Sequence, residues 1–293
     1  MIKVIASDMD GTLLGNDHRI APQTLEAIYR AQDAGIRFMI ATGRNFRGAM
    51  TALEELDLTC DYLVGSGAET RDPQRQVISQ VDMDRTLCED IYRALQKYPI
   101  SVIFCTDEHD YQIGTPEEIE KSMMVHLKLF FLNMSEQEIK NSAMYQDMKK
   151  KTRIVSSFQE LAEANVPIYK IFLFAEDTEL LGEIEKDLSD NKNIAVASSF
   201  ATNLEITDIR AQKGPVLKEY IESLGYTMDE VMVFGDSMND YSMLAMNFGA
   251  TVAMENADEK IKAVSKYVTK SNEDFGVAYA IDELLKRQTE QNR

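Results

Sequence analysis

The sequence predicts an α/β protein built on a doubly wound parallel sheet, Rossmann-like in layout, with an α+β domain inserted into it. Three observations carry that expectation. Strand-like and helix-like segments alternate over about the first eighty residues and again from about Ile209 onward, and the strand-like segments there are unbroken apolar runs. Between these regions the alternation gives way to adjacent strands separated by short polar turns. Alternating strand and helix builds βαβ units, whose strands are covered on both faces and so lack a polar side. Adjacent strands with short turns pair antiparallel and cannot join that core.

In the N-terminal region Lys3 to Ser7 reads as the first strand, a helix begins near Pro22, Ile36 to Ala41 is the second strand, a helix runs from Asn45 to about Leu56, and Tyr62 to Val64 is the third strand. Proline suits a first helical position, where its missing N–H costs nothing, and Gly35 suits the helix-to-strand turn. In the middle come a helix, strands around Val102 to Phe104 and Tyr111 to Ile113, mixed segments, a strand from Ile168 to Phe174, a helix, and strands Ala195 to Ala197 and Leu204 to Ile206. Met123, Met124 and the run Leu127 to Leu132 read there as an apolar helix face or domain contact. The C-terminal region continues with a helix after Gly214 and Pro215, strand Val231 to Phe234, a helix through Tyr241 to Asn247, strand Ala250 to Ala253, a helix from Asp258, and strand Tyr267 to Val268. The expected domains are 1–82 with 209–293 for the core and 83–208 for the insert.

A chain of 293 residues suggests two domains, at roughly 150 residues each. Lys and Arg number 31 against 49 Asp and Glu, a net charge of −18, so long-range repulsion disfavours nucleic acid and anionic membranes as partners. No apolar stretch approaches the ~20 residues of a membrane-spanning helix, and the N-terminus lacks a signal-peptide pattern, which points to the cytoplasm. Cys60, Cys88 and Cys105 are widely spaced and fit neither a disulfide framework nor a zinc site. A small phosphorylated substrate stays compatible with the acidity if a divalent cation and a few placed positive groups reverse the field at contact range.

Acidic residues stand where the strands end. Asp8 and Asp10, in Asp8-Met9-Asp10-Gly11-Thr12, follow the first strand, and Gly235-Asp236-Ser237-Met238-Asn239-Asp240 follows the run Val231 to Phe234. Ligands of open parallel sheets bind at that edge. A carboxylate at Asp8 could attack phosphorus while bridging to a metal ion, and Asp10, two residues on, could protonate a leaving alkoxide and then deprotonate water. Asp236 and Asp240 offer hard oxygen ligands suited to Mg2+, with Ser237 and Asn239 to orient them. In Ile40-Ala41-Thr42-Gly43-Arg44 a hydroxyl, Thr42, and a glycine, Gly43, close the second strand as groups able to hydrogen-bond a phosphoryl oxygen, and Lys213 could neutralise charge on the nucleophile. Each motif also has a simpler explanation taken singly: an Asp-rich turn, a Thr cap before a helix, an Asp cap, a lysine before a glycine.

In this order the four segments resemble the motifs of the haloacid dehalogenase (HAD) superfamily of phosphohydrolases, and the insert resembles the type IIB cap of the Cof-like subfamily. Val252 to Ala257 and Tyr267 to Asn272 are similar to that subfamily's C-terminal segments. The resemblance implies that Asp8 is a nucleophile forming an aspartyl-phosphate and Asp10 the general acid/base. It implies phosphate binding by Thr42, Gly43, Lys213 and Asn239, and Mg2+ held by Asp8, the Asp10 backbone carbonyl and Asp236, with Asp240 supporting Lys213 or the metal's water shell. The implied function is Mg2+-dependent hydrolysis of small phosphomonoesters such as sugar phosphates, pyridoxal phosphate or flavin mononucleotide, by a monomer or weak homodimer. A phosphomutase and a non-catalytic phospholigand-binding protein are the alternatives, and a dehalogenase is disfavoured because Asp10 is present. One departure stands out: Ser66, in Gly65-Ser66-Gly67-Ala68, takes the place of the subfamily's usual Asn. The cap is expected to set specificity, with no role assigned to His109, Tyr111, His126 or Lys170.

Overall fold

The computed structural model describes residues 1–129, 131 and 133–291, in two compact units: Met1–Val81 with Arg210–Arg293, and Asp82–Ile209. Phe130 and Leu132, part of the expected apolar run, lie outside the described residues. No described helix is long and apolar enough to cross a membrane.

The first unit begins with β1 (Val4–Ser7), α1 (Pro22–Asp33), β2 (Arg37–Ala41), α2 (Phe46–Leu53), β3 (Asp61–Val64), β4 (Glu69–Arg71) and β5 (Val77–Gln80). The second holds α3 (Arg85–Leu95), β6 (Ser101–Thr106), β7 (Asp110–Ile113), α4 (Pro116–Lys128), α5 (Glu136–Asn141), α6 (Ala143–Lys151), β8 (Thr152–Val155), α7 (Phe158–Glu163), β9 (Ile168–Phe174), α8 (Thr178–Leu188), β10 (Ile194–Ala197) and β11 (Asn203–Asp208). The chain then completes the first unit with α9 (Lys213–Ser223), β12 (Val231–Gly235), α10 (Tyr241–Leu244), β13 (Ala250–Ala253), α11 (Glu259–Val264), β14 (Tyr267–Val268) and α12 (Gly276–Gln291).

The first unit's sheet has the order β14-β13-β12-β1-β2-β3-β4-β5 and is parallel from β14 to β3. All four residues of β1 are buried, as are Met39, Ile40 and Ala41 of β2, because helices cover both faces. The chain winds outward from β1 through β2 and β3, and on its return through β12, β13 and β14 on the other side. The order therefore reverses between β1 and β12, which opens a crevice at their carboxyl ends. The strands β4 and β5 turn back antiparallel beyond β3 and escape the pattern read from the sequence. β4 has three residues and all four of β5 are exposed, so neither carries an apolar signature, as befits a sheet edge. At the start of β3 the buried Asp61 carboxylate is satisfied three ways, by Arg37 Nε and Nη2 at 2.5 and 2.6 Å and by the Tyr220 hydroxyl at 2.7 Å.

The second unit's sheet has the order β10-β11-β9-β6-β7-β8. It is antiparallel except between β7 and β8, which pair parallel, contrary to the all-antiparallel expectation. The reason is the connection. Three helices, α4 to α6, intervene between β7 and β8, enough chain to carry the second strand back in the same direction. α3 and α8 bury Cys88, Ile91 and Leu95, and Leu181, Ile184 and Leu188, in one core with Ile171, Leu173, Leu204 and Ile206. The four side chains without an assigned role are all in this unit. His126 stacks on Phe174 with ring centroids 4.3 Å apart, Tyr111 packs against the core, Lys170 pairs with Glu205 at 2.8 Å, and His109 Nε2 lies 3.0 Å from Arg153.

Candidate active site

Asp8 comes directly after β1, and its N–H donates to Phe234 O at 3.1 Å, which locks the end of β1 to β12. Its carboxylate is 4% exposed as a residue and accepts from Lys213 Nζ at 2.6 Å. The same ammonium donates to Asp240 Oδ1 at 2.6 Å, and Lys213 is wholly buried. Asp240 Oδ2 accepts the N–H groups of Asp236 and Ser237 at 3.0 and 3.2 Å. Asp240 precedes α10 without capping it through its side chain; its carboxylate instead reaches back to close the turn after β12 and holds the lysine. Asp236 accepts from Thr12 Oγ1 at 2.7 Å and from Ser237 Oγ at 2.9 Å. A Cβ on Gly11, whose φ is +78°, would stand 2.5 Å from Asp236 Oδ2, so glycine there permits the two acidic loops to meet.

Oxygen atoms of Asp8, Asp236 and Asp240 all lie within 4.8 Å of one another. One lysine faces these three carboxylates. Burial, followed by the Asp240 charge, pushes Asp8 well above the ordinary carboxylate range, against Lys213, and pushes Asp236 up to about 7. Burial would lower Lys213, but Asp240 and Asp8 outweigh it and raise it. Asn239, one residue before Asp240, adds a buried side-chain oxygen with no hydrogen-bond partner among the described residues. Uncompensated negative charge together with a surplus of hard oxygens fits a divalent cation such as Mg2+.

Thr42 is buried just past β2, its N–H donating to Leu63 O at 2.8 Å, and its Oγ1 accepts the Arg44 N–H at 3.2 Å. It is not the cap of α2: Asn45 is, accepting from Gly48 N–H at 2.8 Å. Gly43 lies half-buried between Thr42 and Arg44. Ser66 occupies the left-handed region at φ 62°, ψ 22°, and its N–H donates to Thr42 O at 3.0 Å. The loop after β3 is thereby tied to the loop after β2. Asp10 belongs to the turn after β1, but its carboxylate faces Arg44, with which it makes two hydrogen bonds. The three-carboxylate cluster therefore contains Asp240 where the expected ligand set had Asp10, and the Asp10 contribution was expected from its backbone carbonyl.

Three supporting residues were not picked out as site residues from the sequence. Arg44 is one. Asn256 Nδ2 donates to Gly11 O at 2.8 Å, and Asn272 Nδ2 donates to Leu14 O at 3.0 Å. These two asparagines are joined by the Asn272 N–H to Asn256 Oδ1 bond at 3.0 Å, and they clamp the Asp8-to-Leu14 turn from outside. Their segments had been noted only as family-like, since nothing local in a sequence says which distant loop an asparagine holds.

Gly67 provides a test of this packing. Its φ is +108°, and a Cβ there would lie 2.9 to 3.0 Å from the backbone of Gln212, the residue before Lys213. Gly67→Ala is expected to cost about 2 kcal/mol through backbone strain and the forced shift of Gln212. Chemical denaturation would measure it, and an unchanged midpoint would contradict the close approach.

A parallel sheet with a strand-order reversal, and a buried carboxylate flanked by a lysine and further carboxylates at that reversal, define a doubly wound α/β protein with an acidic site at the ligand edge of its sheet. The comparisons make this specific. The family model for haloacid dehalogenase-like hydrolases matches residues 5–281. The chain is 32% identical over 290 residues to 5-amino-6-(5-phospho-D-ribitylamino)uracil phosphatase YwtE of Bacillus subtilis, covering 98% of this chain and 99% of that one. It is also 32% identical over 289 residues to phosphatase YwpJ of the same organism, covering 97% and 100%. A solved haloacid dehalogenase-like hydrolase from B. subtilis superposes with a TM-score of 0.83 at 29% identity, over 97% of this chain and all of that one. The protein belongs to the haloacid dehalogenase-like hydrolase family, in its Cof-like phosphatase branch. It is a phosphoric monoester hydrolase of that type.

Proposed function

We propose that the protein is a Mg2+-dependent phosphatase that removes phosphate from small phosphomonoesters through an aspartyl-phosphate at Asp8. The observation that carries this is the buried Asp8 carboxylate held by Lys213 at 2.6 Å with Asp236 and Asp240 beside it. Lys213 occupies one Asp8 oxygen and leaves the other for attack on phosphorus. As the Asp8–phosphorus bond forms, the ester bond breaks and Asp10 delivers a proton to the leaving oxygen. Asp10 then takes a proton from water, whose oxygen attacks phosphorus, and inorganic phosphate leaves as the Asp8 carboxylate is regenerated. Thr42, Gly43, Lys213 and Asn239 would hold the phosphoryl oxygens. Mg2+, held by Asp8, Asp236 and the Asp10 carbonyl with Asp240 in support, would supply charge stabilisation to the transferring phosphoryl group. The similarity to YwtE favours a phosphorylated polyol or sugar among the substrates.

Phosphate release from phosphorylated ribityl compounds, sugar phosphates, pyridoxal phosphate, flavin mononucleotide and an aryl phosphate tests this. Release is expected with Mg2+, silenced by EDTA and restored by added Mg2+. Full activity after thorough chelation would remove the metal from the mechanism. Phosphate retained on an isomerised product would identify a phosphomutase, and stabilisation by phosphoesters without turnover a binding protein. Metal binding should also show in stability. Asp236 is pushed up to about 7 by burial and then Asp240, so between the ordinary carboxylate value and about 7 the folded metal-free protein holds a proton that the unfolded chain has lost. Metal-free stability therefore falls as pH rises through that window, and a cation that displaces the proton restores it. Mg2+ at one fixed concentration, about a hundred times its dissociation constant at pH 8, should raise Tm by about 4 °C at pH 8 and by less at pH 6. Equal shifts at both pH values would count against the carboxylate site.

A further inference from the structure

Arg44 makes a fork-to-fork pair with Asp10: Nε donates to Oδ2 at 2.8 Å and Nη2 to Oδ1 at 2.6 Å. Its remaining nitrogen, Nη1, donates to Gly48 O at 3.3 Å. The backbone carrying this guanidinium is itself held, the N–H by Thr42 Oγ1 at 3.2 Å and the carbonyl by the Gly65 N–H at 2.7 Å. Asp10, by contrast, sits on a turn with its side chain 35% exposed, where a lone carboxylate would sample several rotamers. Proton transfer needs the reacting oxygen at a fixed place, and a misplacement of about 1 Å can cost on the order of a hundredfold in rate. Two parallel N–H bonds from a planar guanidinium define the plane of a carboxylate as a point charge cannot.

We propose that Arg44 is a positioning residue that sets the plane and reach of the Asp10 carboxylate, linking the loop after β2 to proton transfer at the loop after β1. The inference rests on the phosphatase assignment for the task of Asp10, whereas the pair itself does not depend on it. Arg44 touches Thr42 through its backbone and Asp10 through its side chain, so it ties a proposed phosphate-binding residue to the proposed proton-transfer residue. Each Asp10 oxygen keeps a lone pair for a leaving group or a water while the fork holds the other.

A double-variant cycle on the full-length enzyme tests this. Arg44→Met should lower kcat by about 10- to 100-fold with KM within about twofold, and Arg44→Lys, which keeps the charge but loses the fork, should recover only part of that loss. In the Asp10→Asn background Arg44→Met should cause no further loss, because its effect passes through Asp10. Losses that multiply, full rescue by lysine, or a fall confined to KM would overturn the positioning role. A second readout does not need turnover. The Nε–H proton resonance of Arg44, assigned by its disappearance in Arg44→Met, should be protected from solvent exchange in the parent and lose that protection in Asp10→Ala, which removes the acceptor. Unchanged protection would show that no such pair forms, whereas a protected signal in a protein without phosphatase activity would reject the functional assignment and leave the pair standing.

Discussion

Asp8→Asn will abolish turnover, with a loss of at least about 10³-fold in phosphate release, and will leave the protein folded. An amide oxygen cannot serve as the nucleophile in this substitution reaction, yet it can still accept the hydrogen bond that Lys213 Nζ now donates to Asp8 Oδ1 at 2.6 Å. The shape of the side chain is unchanged. The stability of the metal-free variant should equal or exceed that of the parent, because burial and the Asp240 charge both disfavour an ionised Asp8. Asparagine removes one of three crowded carboxylates while Asp240 continues to neutralise the lysine. Thermal melting and phosphate release measured on the same preparation check both halves. Residual activity within tenfold of the parent would sink the nucleophile assignment, and a large drop in Tm would show that the Asp8 charge is needed for the fold.

Lys213→Met should do the opposite and destabilise the protein strongly. Lys213 is entirely buried and makes two ion pairs of 2.6 Å, so methionine leaves Asp8 and Asp240 facing each other without their shared cation. Breaking a buried pair in this way costs about 3–5 kcal/mol, or on the order of 10 °C in Tm for a chain of this size. Activity should fall as well, since the proposed nucleophile and phosphoryl group both lose a positive partner. Mg2+ should restore part of the lost stability, and adding Asp8→Asn should restore more, because each reduces the uncompensated negative charge. A variant as stable as the parent would mean that the two carboxylates share a proton at little cost, and the electrostatic account of the site would have to be abandoned.

The legible part of this protein is the part that short-range pattern encodes. The unbroken apolar runs of β1, β2 and β12 mark strands covered on both faces, and the acidic residues after β1 and β12 mark a ligand edge, because a parallel strand must be apolar and the residues beyond its carboxyl end reach solvent. The position of Lys213 at the start of α9 could also be read. That its ammonium is divided between Asp8 and Asp240, 205 and 27 residues away, could not.

β4 has three residues, all polar, and β5 is exposed throughout, so neither leaves an apolar signature to read, and the direction of β8 was set by the three-helix connection before it rather than by its own four residues. Arg44 stood in a recognised motif, but its partnership with Asp10 depends on two loops meeting across adjacent strand ends. Asn256 and Asn272 likewise act on the turn after β1 from the far end of the chain. By itself, then, the sequence determined the parallel α/β core, the inserted α+β domain and the chemical types gathered at the sheet edge. Only the tertiary structure decided which carboxylates share the lysine, which one faces an arginine and what clamps their loops, since hydrogen bonds and ion pairs act at about 3 Å and sequence separation carries no record of such distances.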